Sequence, residues 1–520
     1  MSLLDEYQNV TKILTGGKYG SRIIIERALE LLEKDEKPFY VIRAPTGYGK
    51  TAFTYTLTVH ALKDASKFEK VVHVLPMRSI IQDIYDRASS FLFPFVGRQM
   101  MGAHEDPFLL RPLTLTTVDT FTYDFMKLNT MKIRAVKEGR EYGYDYLTQA
   151  SLALSAVVFD EAHSVLEEQT MANAFLTVLN TLLELGTPVF LMTATISRGY
   201  VSRMRREAER RGYSFRVLPD FNEVVEDEFF EREKMKKFKI ELNEGKPENF
   251  LAEDKRNLVV LNTVKEAQET YLRLKEEGWE VLLLHSRFTP KDRARLMMKL
   301  ENMKSREKWV IVATQVVEAG IDLSSDILIT EISPPTSLIQ RMGRNARFDE
   351  QEGEIHILKR KSCPPYDKRI CENTLKGLER MGNPVNMHPR DPFTYQELLD
   401  TVYPNVEGSP YSTLLSYMRD PMVRSDEMRV SLDRMIRRGQ DFLREYPVSL
   451  MLGEDPVPVT RYLLEILVKK MPGSVLICGK RGCKEATSLN DVRKAVRDIA
   501  LWEDVEIRLR DDLIEKMYEE

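Results

Sequence analysis

The chain has 520 residues, 43% of them hydrophobic, and a formal net charge of -4 at pH 7. That length calls for two to four domains, and that apolar content excludes a disordered chain. A charge balance this close to zero excludes a uniformly basic nucleic-acid binder, so any basic surface must be local.

At the chain start, MSLLDEYQNV lacks the basic-then-apolar profile of a signal peptide. No apolar run is long enough to cross a bilayer, so a cytoplasmic protein without a membrane partner is expected. The first segment alternates apolar strand-like runs with helical patterns: FYVIRA before TAFTYTLTVHALKD, VVHVLP before IIQDIYDRASSFL, then LSAVVFD and TPVFLMTAT. Continuous apolar runs of this length suit strands buried on both faces of a parallel sheet, with helices as crossovers. In such sheets ligands bind beyond the carboxyl ends of the strands, and here the strands end in chemistry.

The first of these ends is APTGYGKT, Ala44 to Thr51, which follows a strand and opens a helix, as a phosphate-binding loop must. Ala44 stands where the motif's first glycine usually is. Thr46, Gly47 and Gly49 allow the backbone to turn its N–H groups toward phosphate oxygens. Lys50 can neutralise the β and γ phosphates of ATP, and the Thr51 hydroxyl can ligate Mg2+. The second end is VVFDEAH. Asp160 is placed to hold the Mg2+, and Glu161 to orient and deprotonate an attacking water. His163 is expected to link this strand to neighbouring elements.

From about Asp220 the sequence becomes charge-rich and reads as a connection, with one strand at KKFKIEL. A second α/β alternation follows: NLVVLN, EVLLLHS, TPKDRARLMMKLENM, WVIVAT, DILITE and GEIHILK. Near its end, SLIQRMGRNARF sets Arg341, Arg344 and Arg347 at three-residue steps beside Gln340. A helix there would put the three guanidiniums near one face, where their planar forks suit phosphate. Beyond Pro364, YQELLDTVY, LDRMIRRGQDFLREY, VTRYLLEILVKKM and DVRKAVRDIALWEDV read as amphipathic helices. The four cysteines are too few and too irregular for a disulfide framework. Cys478 and Cys483 are close enough for a zinc site but lack further partners, and otherwise read as ordinary thiols.

In order and spacing, APTGYGKT, DEAH, MTAT, ATQVVEAGIDL and QRMGRNAR resemble the DExH helicases of superfamily two, over roughly residues 40 to 350. LPMRSI, TTVDTF, VVLNTVKEAQETY and LLHSRFTPKDR narrow the likeness to the CRISPR-associated helicases of type I interference. The resemblance implies an α/β fold with two tandem RecA-like parallel-sheet domains and a mostly helical C-terminal region. The expected boundaries are 1–219 for the first domain, 220–250 for the linker, 251–365 for the second domain and 366–520 for the accessory region. It implies an ATP- and Mg2+-dependent motor on single-stranded DNA. Asp322 would contact the ribose. Arg344 and Arg347 would act as arginine fingers, with Gln340 helping to place the water. Arg78, Thr117, Asn262, Thr263 and Thr314 would touch the strand backbone, and Thr193 and Thr195 would couple hydrolysis to movement.

Two departures from the family stand out. The region before the P-loop, SRIIIERALELLEK, lacks the nucleotide-reading glutamine, and Gln8 lies farther off. The 7 histidines are scattered and no His-Asp pair occurs, so the reading is a stand-alone helicase subunit. A separate HD-type nuclease and a guide-RNA surveillance complex are the implied partners. A DExH helicase for RNA or DNA repair, and a binding clamp with a decayed ATPase, are the competing readings.

Overall fold

A computed structural model describes the chain except residues 1, 18–19, 21, 101–102, 129–144, 167–168, 319–320, 406–407, 420–427, 432–433, 436–447, 460, 481, 501–504 and 514–520. The expected helix LDRMIRRGQDFLREY falls almost wholly outside the described residues.

The apolar runs of the first segment become eight strands: β1 (Pro38–Arg43), β2 (Lys70–Leu75), β3 (Val96–Met100), β4 (Ala103–His104), β5 (Leu113–Thr117), β6 (Ser155–Asp160), β7 (Val189–Thr193) and β8 (Ser214–Leu218). They form one sheet in the order β4-β3-β5-β2-β6-β7-β1-β8. Every neighbouring pair is parallel except β3 with β4. Strands β1, β2, β6 and β7 are buried at every position, which explains why they read as unbroken apolar runs rather than alternating ones. Helices Leu3–Thr15, Ile23–Lys34, Lys50–Lys63 and Arg78–Leu92 supply one covering core. In register, Arg43 lies beside Thr193, and Asp160 beside Met192. The P-loop, the DEAH segment and the TAT segment therefore leave the same sheet edge from neighbouring strands.

The second sheet has β9 (Lys237–Asn243), β10 (Arg256–Val260), β11 (Val281–Leu284), β12 (Trp309–Ala313), β13 (Ile327–Glu331) and β14 (Glu352–Leu358), in the order β11-β12-β10-β13-β14-β9. All five neighbouring pairs are parallel. The segment read as a connection thus contributes an edge strand, β9, which pairs with β14 along seven residues from Lys237 to Asn243. It also contributes a helix, Glu228–Met235.

The C-terminal region has helices Pro392–Val402, Arg461–Lys470 and Leu489–Ala500, where YQELLDTVY, VTRYLLEILVKKM and DVRKAVRDIALWEDV predict them, and two that the sequence reading does not contain, Lys368–Arg380 and Ser412–Arg419. It also holds a five-stranded mixed sheet that the helical reading did not contain: β15 (Val448–Leu452), β16 (Asp455–Val459), β17 (Val475–Gly479), β18 (Gly482–Glu485) and β19 (Val505–Leu509). Its strands are short and half-buried, so their pattern is weak. The cysteines are paired, Cys363 with Cys371 and Cys478 with Cys483. Both bridges are local. Cys478 and Cys483 sit opposite each other in the β17–β18 hairpin, so they cross-link a turn rather than build a framework.

Candidate nucleotide-binding cleft between two sheets

The P-loop follows β1, and Gly47 and Gly49 take φ values of 86° and 94°, a region side chains disfavour. Gly49 caps the helix that starts at Lys50, so phosphate would meet backbone N–H groups at a helix N-terminus. Lys50 is buried. Its Nζ lies 2.8 Å from Glu161 Oε1 and donates to the Ala44 carbonyl at 3.3 Å. Burial opposes its charge, but Glu161 and Asp160 hold the ammonium above its usual range.

Asp160 ends β6, and its Oδ1 accepts from the Glu161 backbone N–H at 2.9 Å. Burial works against ionisation of Asp160, yet His73 and Lys50 keep its carboxyl below the usual carboxylate range. Glu161 has φ of 49°, left-handed for a non-glycine residue. This turn points its side chain back toward the P-loop lysine. Glu161 Oε2 is buried and accepts no hydrogen bond.

His163 spans the gap between the two sheets. Its Nδ1 is 3.0 Å from Thr193 Oγ1, and its Nε2 is 2.9 Å from Gln340 Nε2. The amide nitrogen of Gln340 can only donate, so with that nitrogen facing His163 the imidazole Nε2 accepts and the ring is neutral. Burial pushes its pKa below the usual value, which keeps it so.

The three arginines separate. The helix Pro335–Met342 ends before Gly343, so Arg344 and Arg347 lie in the loop beyond it and the shared helical face does not exist. Arg341 is 0% exposed and turns into its own domain. It bonds Glu318 Oε1 at 2.7 Å, Asn262 Oδ1 at 2.9 Å and the Tyr366 hydroxyl at 2.9 Å. Arg344 donates to the carbonyls of Glu318 at 2.6 Å and Ile321 at 2.9 Å, and its Nε is buried without a partner. Burial, and then the nearby charge of Arg347, push Arg344 down to about 9. That is a guanidinium short of compensating negative charge. Arg347 pairs with Asp322 at 2.8 Å.

A cavity of about 640 Å³ gathers Thr46, Gly47, Gly49, Lys50, Thr51, Asp160 and Glu161 from the first sheet, and Asp322, Arg344 and Arg347 from the second. Gln340 stands behind it through His163. The donor set fits Mg2+ and a nucleotide: Thr51 and Asp160 offer hard oxygen ligands, Glu161 Oε2 is unbonded, and Arg344 lacks an anion.

The candidate strand residues lie elsewhere. Thr117 caps the helix Val118–Phe125 and Thr263 the helix Val264–Glu276. Asn262 is spent on Arg341 and on the Ile332 carbonyl. Thr314 is buried beyond β12. Arg78 opens the helix after β2, and its side chain is outside the described ones.

Sequence reasoning missed Arg390. This buried residue pairs with Glu233 at 2.6 Å and donates to the carbonyls of Gly343, Asn345 and Ala346, so it grips the loop that carries Arg344 and Arg347. Lys236 donates to the Ala346 and Phe348 carbonyls from below. Arg43, at the end of β1, donates to Gln396 of the helix Pro392–Val402. Gln396 in turn donates to the Ile196 carbonyl beyond the TAT segment. Of these residues only Arg43, a lone charge ending the apolar run FYVIR, carries a signal in the sequence.

Residues 24–203 match the DEAD/DEAH box helicase family, and residues 253–350 match the family described as CRISPR-associated nuclease/helicase Cas3, C-terminal. The chain therefore carries a DEAD/DEAH box helicase domain followed by a Cas3-like C-terminal helicase domain. A putative CRISPR-associated nuclease/helicase Cas3 of Methanocaldococcus jannaschii is 27% identical over 428 residues, covering 72% of this chain and 53% of that protein. The chain spans about half the length of the curated relatives it matches. The crystal structure of T. fusca Cas3 superposes with a TM-score of 0.59 at 19% identity, over 81% of this chain and 56% of that one. A chain of a CRISPR RNA-guided surveillance complex, pre-nicking, gives a TM-score of 0.56 at 21% identity, over 81% and 54%. These structural likenesses speak for the shared fold of two RecA-like domains. Among the described residues, no helix is long and apolar enough to cross a membrane.

Proposed function

We propose that the chain is a nucleic-acid-stimulated ATPase that moves along single-stranded DNA in type I CRISPR interference, with a separate nuclease and a guide-RNA surveillance complex as partners. The observation that carries this reading is the cavity in which Lys50, Asp160 and Glu161 of one sheet face Arg344, Arg347 and Asp322 of the other. A nucleotide entering there replaces Glu161 as the partner of Lys50. Glu161 is then released to take a proton from the attacking water. Mg2+ held by Thr51 and Asp160 would neutralise phosphate charge. Arg344 would exchange its backbone carbonyls for the γ-phosphate, and Arg347 would leave Asp322 free for the ribose. The His163 bridge to Thr193 and Gln340 would report the state of this site to both domains.

Arg78, Thr117, Thr263 and Thr314 are proposed as backbone contacts at the strand ends, with Asn262 shaping that surface through Arg341. Such contacts would position a strand without reading its sequence. The CRISPR assignment is supported by the family match at residues 253–350 and by the fold shared with a chain of a surveillance complex. ATP turnover measured with single-stranded DNA, with single-stranded RNA and with neither tests the motor. Stimulation by DNA is expected. Stimulation by RNA alone would favour the RNA-helicase reading, and no turnover at all would leave a binding clamp. Recruitment of the chain to a target-bound surveillance complex in a native gel tests the partner.

A further inference from the structure

The family's base-reading glutamine is missing, so something else must face the base of a bound nucleotide. The γ end of the cleft is fixed by Asp160, Glu161 and Arg344, and the phosphate path by Gly47 to Thr51. The base must then extend away from these groups along the loop. What stands there is Arg22, which immediately precedes the helix Ile23–Lys34 and lines both the 640 Å³ cavity and an adjoining one of about 430 Å³. The two cavities meet at Gly47, Gly49 and Thr51.

Arg22 has a side chain only 9% exposed, yet its guanidinium donates no hydrogen bond among the described residues, and Nη1 is buried without a partner. Its nearest carboxylate oxygen, on the largely exposed Glu228, is 3.8 Å away. Instead the guanidinium lies over two rings, 5.8 Å from the centroid of Tyr48 and 5.7 Å from that of Phe229. Phe229 stands beside the phosphate loop, 3.9 Å from where a Cβ on Gly47 would be. A buried donor without an acceptor is costly, and a bound acceptor would remove that cost.

Resting on the nucleotide-cleft reading above, we propose that Arg22 reads the nucleobase, and that the site takes guanine nucleotides at least as well as adenine nucleotides. A guanidinium only donates. Guanine offers two adjacent acceptors, O6 and N7, to a bidentate arginine, whereas adenine offers N7 beside an amino group that also donates. Glutamine, which donates and accepts, matches adenine instead. Tyr48 and Phe229 supply the apolar wall behind the arginine.

The test is equilibrium binding of ADP and of GDP with Mg2+ to the full chain, by calorimetry, for the wild type, Arg22→Gln and Arg22→Lys. The wild type should bind GDP as tightly as ADP or tighter. Arg22→Gln should shift the ratio toward ADP by on the order of tenfold. Arg22→Lys keeps the charge but loses the fork, and should lower GDP affinity more than ADP affinity. Arg22 makes no side-chain cap of its helix, so melting curves should confirm that the variants fold. A wild type that prefers ADP by tenfold, or an Arg22→Gln ratio equal to the wild type's, overturns the assignment and leaves the phosphate site standing. The second result is the one a phosphate contact by Arg22 would give. Failure of the wild type to bind either nucleotide overturns the cleft reading and this one together.

Discussion

At the scale of single residues, burial and hydrogen-bond saturation tell apart side chains that the sequence treats alike. Arg341, Arg344 and Arg347 share one spacing, but Arg341 has carboxylate, amide and phenol partners inside its domain. Arg344 has only carbonyls and an unbonded Nε. The two should therefore fail differently when substituted. Arg344→Lys keeps a charge but loses the fork, so single-turnover hydrolysis with saturating strand should fall by about 10³-fold or more, with ADP affinity little changed. Arg341→Met strands the buried Glu318 carboxylate, and should cost roughly 3–5 kcal/mol of stability in urea unfolding. If Arg344→Lys lost less than about threefold in that hydrolysis assay, against the large factor an arginine finger supplies, the finger role would be wrong. Equal stability of Arg341→Met and wild type would deny Arg341 its structural one.

At the scale of elements, legibility tracked how much of the signal was local. Strands β1, β2, β6 and β7 are buried on both faces, so unbroken apolar runs announced them, and the motifs at their ends followed. β9 was visible only as KKFKIEL, because an edge strand alternates and its pairing with β14 is decided more than a hundred residues away. Arg390 and the Arg43–Gln396 contact were illegible for the same reason, since their partners lie far off in sequence. The cleft's two halves could be read as motifs, but their meeting through His163 and Gln340 is a tertiary fact. The segment 220–250 offers a direct test, because a tether and a strand respond differently to truncation of a buried apolar side chain. Ile240 is fully buried in β9. Ile240→Ala should destabilise the chain by about 2–5 kcal/mol in urea unfolding, whereas a plain tether would tolerate it.

At the scale of the whole molecule, the charges that matter are few and their contexts differ. Four histidines, His163, His285, His356 and His388, are held below the usual 6.5 by burial first, His285 at about 4. A folded-state value below the unfolded one means that the unfolded chain takes up protons first as pH falls. Their contribution is intact above about pH 6.5 and is lost progressively below it. The urea midpoint should therefore fall from pH 7 to pH 5, and His285→Asn should flatten part of that fall. A midpoint unchanged over this range would mean that these imidazoles titrate normally.

The net charge of -4 sets the last expectation. A chain with no overall positive field must hold a strand by a few local cations and by neutral hydrogen-bond donors, and the two kinds respond differently to salt. Each phosphate neutralised by a cation releases counterions and contributes about -0.7 to the log–log salt slope on single strands, whereas a hydroxyl donor contributes nothing to it. Arg78 is the cation among the proposed contacts, and Thr263 is a half-exposed hydroxyl that already serves a helix cap. Single-stranded DNA binding titrated from low to high salt should give a steep slope for the wild type. Arg78→Ala should make that slope shallower by about 0.7, while Thr263→Ala should weaken binding at every salt concentration and leave the slope alone. If Arg78→Ala left the slope unchanged, the strand would run somewhere other than the carboxyl end of β2.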